Sequence, residues 1–365
     1  MLYFTVLTHA CNLSCKYCGY VEDCNESAPR EIEYNVQDLK NFLAQDPKPS
    51  IIFYGGEPLV RQHLLEQIMD SIPAESFLLQ TNATELRNLG REYLKKLGAI
   101  LVSIDGRRET TDRYRGEGVY DKILHNLQGI RQNGFAGDLI ARMTASEHTD
   151  IFLDVSHLLE LKNPEFNHVH WQIDALWDSP PDLRWNNFER WIGESYDPGI
   201  ERLVRMWGDS LVRHGKVLPI LPFTGIMRTL LNGGNAGLRC GAGIDSFAVT
   251  TSGEITVCPI APEWEFARVG SIFQSKPSDL PRRVEVGAPC TSCDILDLCG
   301  GRCLFTNKTK LWGEGGFRSV CRSTRAMIAE LKQLKGQVVE LISRKMISPD
   351  EFEYAPYNNG TETIP

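Results

Sequence analysis

Cys11-Asn12-Leu13-Ser14-Cys15-Lys16-Tyr17-Cys18 sets three thiols into eight residues at the spacing C-x3-C-x2-C. The run follows Leu2–Thr8, a short apolar segment rich in β formers, so the thiols fall on the loop leaving a predicted strand. Such a loop curls three thiolates around one centre. That set suits a soft metal, and a cubane iron–sulfur cluster held this way keeps one iron open. A zinc ion closed by Cys24 or His9 is the alternative, although zinc sites usually begin C-x2-C.

Outward from this loop, the pattern of strand, polar turn and helix repeats. Ser50–Gly55, Phe77–Thr81, Ala99–Ile104, Asp138–Met143 and Val169–Ile173 are apolar runs of strand length. Val36–Gln45, Gln62–Ser71, Thr84–Leu97, Tyr120–Gln132 and Ile151–Leu161 carry helical periodicity between them. Six such units predict an α/β fold with parallel strands and right-handed crossovers, an open doubly wound sheet or a partial (β/α)6 barrel. Either places chemistry at the carboxyl ends of the strands. Those ends read Cys11–Cys18, Gly55-Gly56-Glu57-Pro58, Thr81-Asn82-Ala83-Thr84, Ser103-Ile104-Asp105-Gly106, Arg142-Met143-Thr144 and Asp174-Ala175-Leu176.

The other constraints are compositional. The chain has 365 residues, 42% hydrophobic and 24% charged, with Lys+Arg 39 against Asp+Glu 47 and a net charge of −8. These are globular values for about two domains, and they exclude a disordered, collagenous or coiled-coil chain. The acidic balance argues against bulk nucleic-acid binding. No apolar window approaches the ~18 residues of a membrane span. The opening segment lacks the basic region of a signal peptide, so a cytoplasmic protein is expected. In that compartment eleven cysteines point to metal rather than disulfides.

Cys11–Cys18, with Tyr17 before the last cysteine, resembles the signature of the radical SAM superfamily. Tyr54-Gly55-Gly56-Glu57-Pro58 is similar to that family's GGEP motif after the second strand. The resemblance implies a four-iron cluster on Cys11, Cys15 and Cys18. S-adenosylmethionine would chelate the open iron and be cleaved reductively to a 5′-deoxyadenosyl radical. It also implies that Gly55 and Gly56 admit the methionine moiety, with Pro58 completing the motif, and that Glu57 takes its ammonium. Tyr17 belongs to the same cofactor-binding set. Thr81, Asn82, Ser103 and Asp105 are candidates for the ribose hydroxyls, Arg142 for the carboxylate, and Ile173 to Leu176 for the adenine. Helix capping by Asn82 and Asp105, and a structural ion pair at Arg142, are the competing roles.

The remaining cysteines gather late: Cys240, Cys258, Cys290-x2-Cys293-x5-Cys299-x3-Cys303 and Cys321. Together they resemble the SPASM extension of some radical SAM enzymes, which carries two auxiliary four-iron clusters. By that resemblance, Cys290, Cys293, Cys299 and Cys321 hold one. Cys240, Cys258 and Cys303 hold the other, three clusters in all. Some relatives supply a fourth cysteine to the second site, where this chain has Asn235, Ala236 and Gly237. A substrate thiolate, Cys24, Asp245 or water is a candidate for that place. Two structural zinc sites are the alternative. The expected organisation is a radical SAM partial barrel over 1–180, a helical linker over 181–236, a SPASM domain over 237–323, and a C-terminal helix with a polar tail over 324–365.

The resemblance implies an oxidoreductase that modifies peptides or proteins, by thioether or carbon–carbon crosslinking, oxidation or decarboxylation. A dehydrogenase or sulfatase-type maturase on the same clusters is the runner-up, and a zinc-bound scaffold is the reading from another class. Pro259 stands where sulfatase-maturing relatives carry an Asp. Expected partners are the peptide substrate and a donor such as ferredoxin or flavodoxin. The thiol motif begins at residue 11, so a leader is expected to be read by the barrel, the tail or a separate protein. Trp171, Trp177, Trp185, Trp191, Tyr196 and Trp207 read as packing in preference to a peptide groove. No motif names the group that donates a hydrogen atom.

Overall fold

All six predicted strands form, in register, as one parallel sheet. In the computed structural model, which describes residues 1–18, 29–175, 185–354 and 364–365, they are β1 (Leu2–Val6), β2 (Ser50–Tyr54), β3 (Ser76–Thr81), β4 (Leu97–Ser103), β5 (Asp138–Ala145) and β6 (His168–Ile173). Each pairs in parallel with the next. The cysteine-rich segment enters the same sheet. Its strand β7 (Ser246–Val249) runs parallel beside β1, and β8 (Glu254–Thr256) and β9 (Arg268–Ser271) follow antiparallel. The full order is β6-β5-β4-β3-β2-β1-β7-β8-β9.

The period of two along each strand divides the core. Tyr3, Ile51, Phe53, Leu79, Ile100 and Val102 face the helices in the large core. Leu2, Phe4, Ile52, Leu78, Leu101 and Ile140 form a smaller apolar layer on the opposite face, against which Leu221 packs. Both faces are covered, which is why these strands read as continuous apolar runs. Above that apolar floor, toward the strand ends, the same face turns polar.

Several helices depart from their predicted bounds. Thr84–Leu97 is not one helix: a 3-10 turn at Leu86–Asn88 and a short helix at Arg91–Leu94 replace it, and β4 starts at Leu97. Gly90 interrupts the pattern, and Leu97 goes to the sheet. The helix from Val119 ends at Leu127, because Gln128 turns extended and Gly129 takes a positive φ. The C-terminal helix begins eleven residues early and runs Gly313–Ser343. Its glycine-rich start hides it from propensity, but Phe317, Val320 and Met327 bury one face there. Helices at Arg108–Arg115 and Leu221–Asn232 lay outside the reading. In the polar tail, Phe352 and Ile364 are buried, so its described parts drape on the body. Trp171, Trp185, Trp191, Tyr196 and Trp207 are all core residues; Trp177 lies outside the described residues. No helix among the described residues is long and apolar enough to cross a membrane.

Candidate functional site

The thiol loop is held by its backbone before its side chains matter. Gly56 N–H donates to the Thr8 carbonyl and Glu57 N–H to the Ala10 carbonyl, both at 2.9 Å. This locks the loop leaving β1 onto the loop leaving β2. The approach tolerates no side chain: a Cβ on Gly55 would lie 2.3 Å from the Thr8 carbonyl oxygen, and one on Gly56 2.3 Å from that of Ala10. Gly55 also has φ +137, a region glycine favours. The two glycines thus serve the joint between the loops as well as bordering the cavity. Gly56→Ala is expected to cost about 1–3 kcal/mol from overpacking against backbone. Gly336→Ala, with nothing near its Cβ in a long helix, is expected to gain about 0.5–1 kcal/mol. Thermal unfolding of both variants checks the contrast.

Glu57 is 1% exposed and serves as a bracket. It accepts from Leu59 N–H at 3.0 Å, from the Thr81 hydroxyl at 2.7 Å and from Asn82 N–H at 2.7 Å. Pro58 opens the 3-10 turn that Glu57 caps, a favoured place for proline. Burial pushes the Glu57 carboxyl up to about 7, against the pull of those three donors. Folded chain therefore holds a proton that unfolded chain has released between about pH 4.5 and 7. The associated stability is full below about 4.5 and is lost as pH rises through 7, by about 3 kcal/mol in total. Urea unfolding of metal-free protein is expected to show this loss between pH ~5 and ~8, and Glu57→Gln to lack it.

Asn82 ties the third strand end to the thiol loop. Its amide donates to Asn12 Oδ1 at 2.8 Å and approaches Cys11 Sγ at 3.9 Å, while its oxygen accepts from Thr84 N–H at 2.9 Å. Tyr17 is fixed from beneath. Its hydroxyl donates to Asp105 at 2.5 Å, and the Arg115 guanidinium lies 5.4 Å from its ring centroid. Asp105, fully buried, takes two further bonds from Arg115, both 2.9 Å, and one from Thr144 N–H at 3.0 Å.

These strand ends enclose one cavity. Cys11, Cys15, Cys18 and Tyr17 border it with Gly55, Gly56, Glu57, Asn82 and Ser103, as do Cys303 and Trp312 from the far end of the chain. Three of the predicted contacts lie elsewhere. Pro58 packs behind its turn, and Asp105 spends its oxygens under Tyr17. Arg142 is buried within electrostatic reach of Tyr54, Cys303 and Cys240. One of its nitrogens meets His170 Nδ1 at 2.7 Å, its Nε has no hydrogen-bond partner among the described residues, and burial draws it down to about 10. Leu176 and Cys24 lie outside the described residues. Sequence reasoning missed Arg115, Arg302 and Trp312. Only the Asp105 partnership of Arg115 lay within reach of a sequence signal, as opposite charges ten residues apart.

None of the ten described cysteines is joined in a disulfide among the described residues. Cys290, Cys293, Cys299 and Cys321 ring a second cavity, and Cys258 feels the charges of Cys303 and Cys240. Among the described residues no three Cys, His, Asp or Glu side chains converge as the ligands of one ion; the thiols border cavities instead. Burial pushes Cys15 and Cys299 up to about 11 and raises Cys258 well above the usual thiol range, so filling these sites with metal releases protons. A soft donor set, a ligand-poor triad and a glycine-lined approach fit an iron–sulfur group with an exchangeable position.

The family model of the Radical SAM superfamily matches residues 5–149. Mycofactocin maturase MftC of Mycolicibacterium smegmatis is 24% identical over 318 residues, 82% of this chain and 76% of its own length. The solved structure of native anSMEcpe with bound AdoMet superposes with a TM-score of 0.71 at 17% identity, covering 93% of this chain and 100% of that one. Streptococcus suis SuiB bound to precursor peptide SuiA superposes with a TM-score of 0.51 at 15% identity, covering 85% of this chain and 73% of that one. The family's model runs from β1 through β5 and the strand ends close on a thiol triad, so residues 5–149 carry a radical SAM domain, and a cysteine-rich C-terminal region follows it.

Proposed function

We propose that the chain is a peptide- or protein-modifying radical SAM enzyme carrying three four-iron clusters. The observation that carries this reading is the shared cavity: Cys303, from the late cysteine group, borders the same space as Cys11, Cys15 and Cys18. A substrate there lies between two metal-binding sites, as a reaction that starts with hydrogen abstraction and ends with electron removal requires. When bound, the cluster and S-adenosylmethionine supply a 5′-deoxyadenosyl radical. The residues of the chain do the rest. Gly56 and Glu57 hold the triad loop against the second strand, and Asn82 and Ser103 present polar groups to the cavity. Trp312, fixed by its bond to the Asp174 carbonyl at 2.7 Å, walls the side toward Cys303.

In this reading Cys290, Cys293, Cys299 and Cys321 hold one auxiliary cluster. Cys240, Cys258 and Cys303 hold the other, leaving one iron for a substrate thiolate and so for thioether formation. The boundaries 1–180, 181–236, 237–323 and 324–365 divide the chain accordingly. The precursor peptide named with SuiB supports a peptide substrate. A cytoplasmic location, a ferredoxin or flavodoxin donor and a separate leader-binding protein complete the proposal. Anaerobic incubation with short cysteine-containing peptides, followed by mass spectrometry, tests it. A loss of two hydrogens at a cysteine crosslink is expected. No mass change in any peptide, while S-adenosylmethionine is still cleaved, would direct the search to other substrates.

A further inference from the structure

Arg302 stands out in the late cysteine segment. It has φ +60, a backbone region that side chains other than glycine enter only at a cost, and one that collects at functional sites. The residue is 6% exposed. Its Nη2 donates to the Thr306 hydroxyl at 2.6 Å, and its guanidinium lies 4.7 Å from the Trp312 ring centroid. No carboxylate pairs with it among the described residues, and a buried cation left without one is costly.

The surroundings give that charge a purpose. Arg302 borders the cavity of the first thiol triad and also the cavity ringed by Cys290, Cys293, Cys299 and Cys321. Two other donors reach this four-thiol site. Asn307 Nδ2 lies 3.4 Å from Cys290 Sγ, and Arg325 Nη2 lies 3.1 Å from Cys293 Sγ. Arg325 is exposed and its charge is met by Asp294. Arg302 is neither. In a buried site such a cation stabilises added negative charge strongly. Net charge, hydrogen bonds to sulfur and burial set the potential of an iron–sulfur site.

We propose that Arg302 is the fixed positive charge that raises the reduction potential of the four-thiol site, so that this site is poised to take up an electron rather than only to brace the fold. The inference rests on the reading that Cys290, Cys293, Cys299 and Cys321 hold an iron–sulfur cluster. Arg302 acts through that cluster and is a positioning residue.

The test is a potentiometric titration of reconstituted full-length protein, followed by electron paramagnetic resonance, in a Cys11/Cys15/Cys18→Ala background. A Cys290→Ala/Cys321→Ala variant identifies the signal of the four-thiol site. Arg302→Gly removes the charge while suiting the backbone at φ +60, Arg302→Met keeps more of the packing, and Arg302→Lys keeps the charge. The expected result is a midpoint displaced to more negative potential in Arg302→Gly and Arg302→Met at unchanged iron content, with Arg302→Lys close to the parent. An unchanged midpoint in Arg302→Gly and Arg302→Met overturns the proposal. So does equal loss of iron in all three variants, which marks a purely structural role. Undiminished iron in Cys290→Ala/Cys321→Ala overturns the underlying cluster reading instead, and the proposal with it.

Discussion

Replacing Cys11, Cys15 and Cys18 together by alanine is expected to reduce 5′-deoxyadenosine formation to background while leaving the fold standing. The chemistry belongs to the bound group, so removing its ligands removes the reaction rather than slowing it. The loop itself is placed by the Gly56 and Glu57 backbone bonds and by Tyr17 on Asp105, none of which involves a thiol. The metal-free triple variant is therefore expected to unfold within a few tenths of a kcal/mol of metal-free parent. Its reconstituted iron content is expected to fall by about four per chain, the complement of one cubane. Product assay, denaturant unfolding and iron analysis check the three statements separately.

The second large effect is expected at Asp105. Asp105→Asn leaves Arg115, 7% exposed, as an unbalanced buried cation. Breaking a buried pair from one side costs about 3–5 kcal/mol. The loss passes to the site, because the same carboxylate receives the Tyr17 hydroxyl at 2.5 Å and Tyr17 sits one residue before Cys18. Lower stability and weaker retention of iron by the triad are expected together. The double variant Asp105→Asn/Arg115→Met is expected to recover much of the stability, since no lone charge then remains. Unfolding in denaturant across the cycle measures the coupling.

What could be read from the sequence follows from the range of each signal. The six parallel strands were legible because a strand buried on both faces shows as an apolar run, whatever it packs against. The thiol triad and the Gly55–Pro58 turn were legible because their spacing is local. Asp105 was picked out correctly as a strand-end residue, but its partners are Tyr17 and Arg115, whose convergence depends on folding. Arg142 was read as a ligand contact from its place near the end of the fifth strand and from the family resemblance. Arg142 stands in register with Ser103, which borders the cavity, but its guanidinium meets His170, a partner no local signal names. Trp312 and Arg302 reach the cavity from beyond residue 300, at a distance no periodicity reports. The early start of the last helix was masked by Gly313, Gly315 and Gly316, where tertiary packing outweighs propensity.

The most direct measurement of the central claim is anaerobic. The reconstituted protein is mixed with S-adenosylmethionine and a strong reductant, and 5′-deoxyadenosine is quantified beside iron and sulfide. The account predicts a brown protein with about twelve irons per chain and 5′-deoxyadenosine that depends on the reductant. A colourless protein that binds zinc, carries no sulfide and yields no 5′-deoxyadenosine would contradict it.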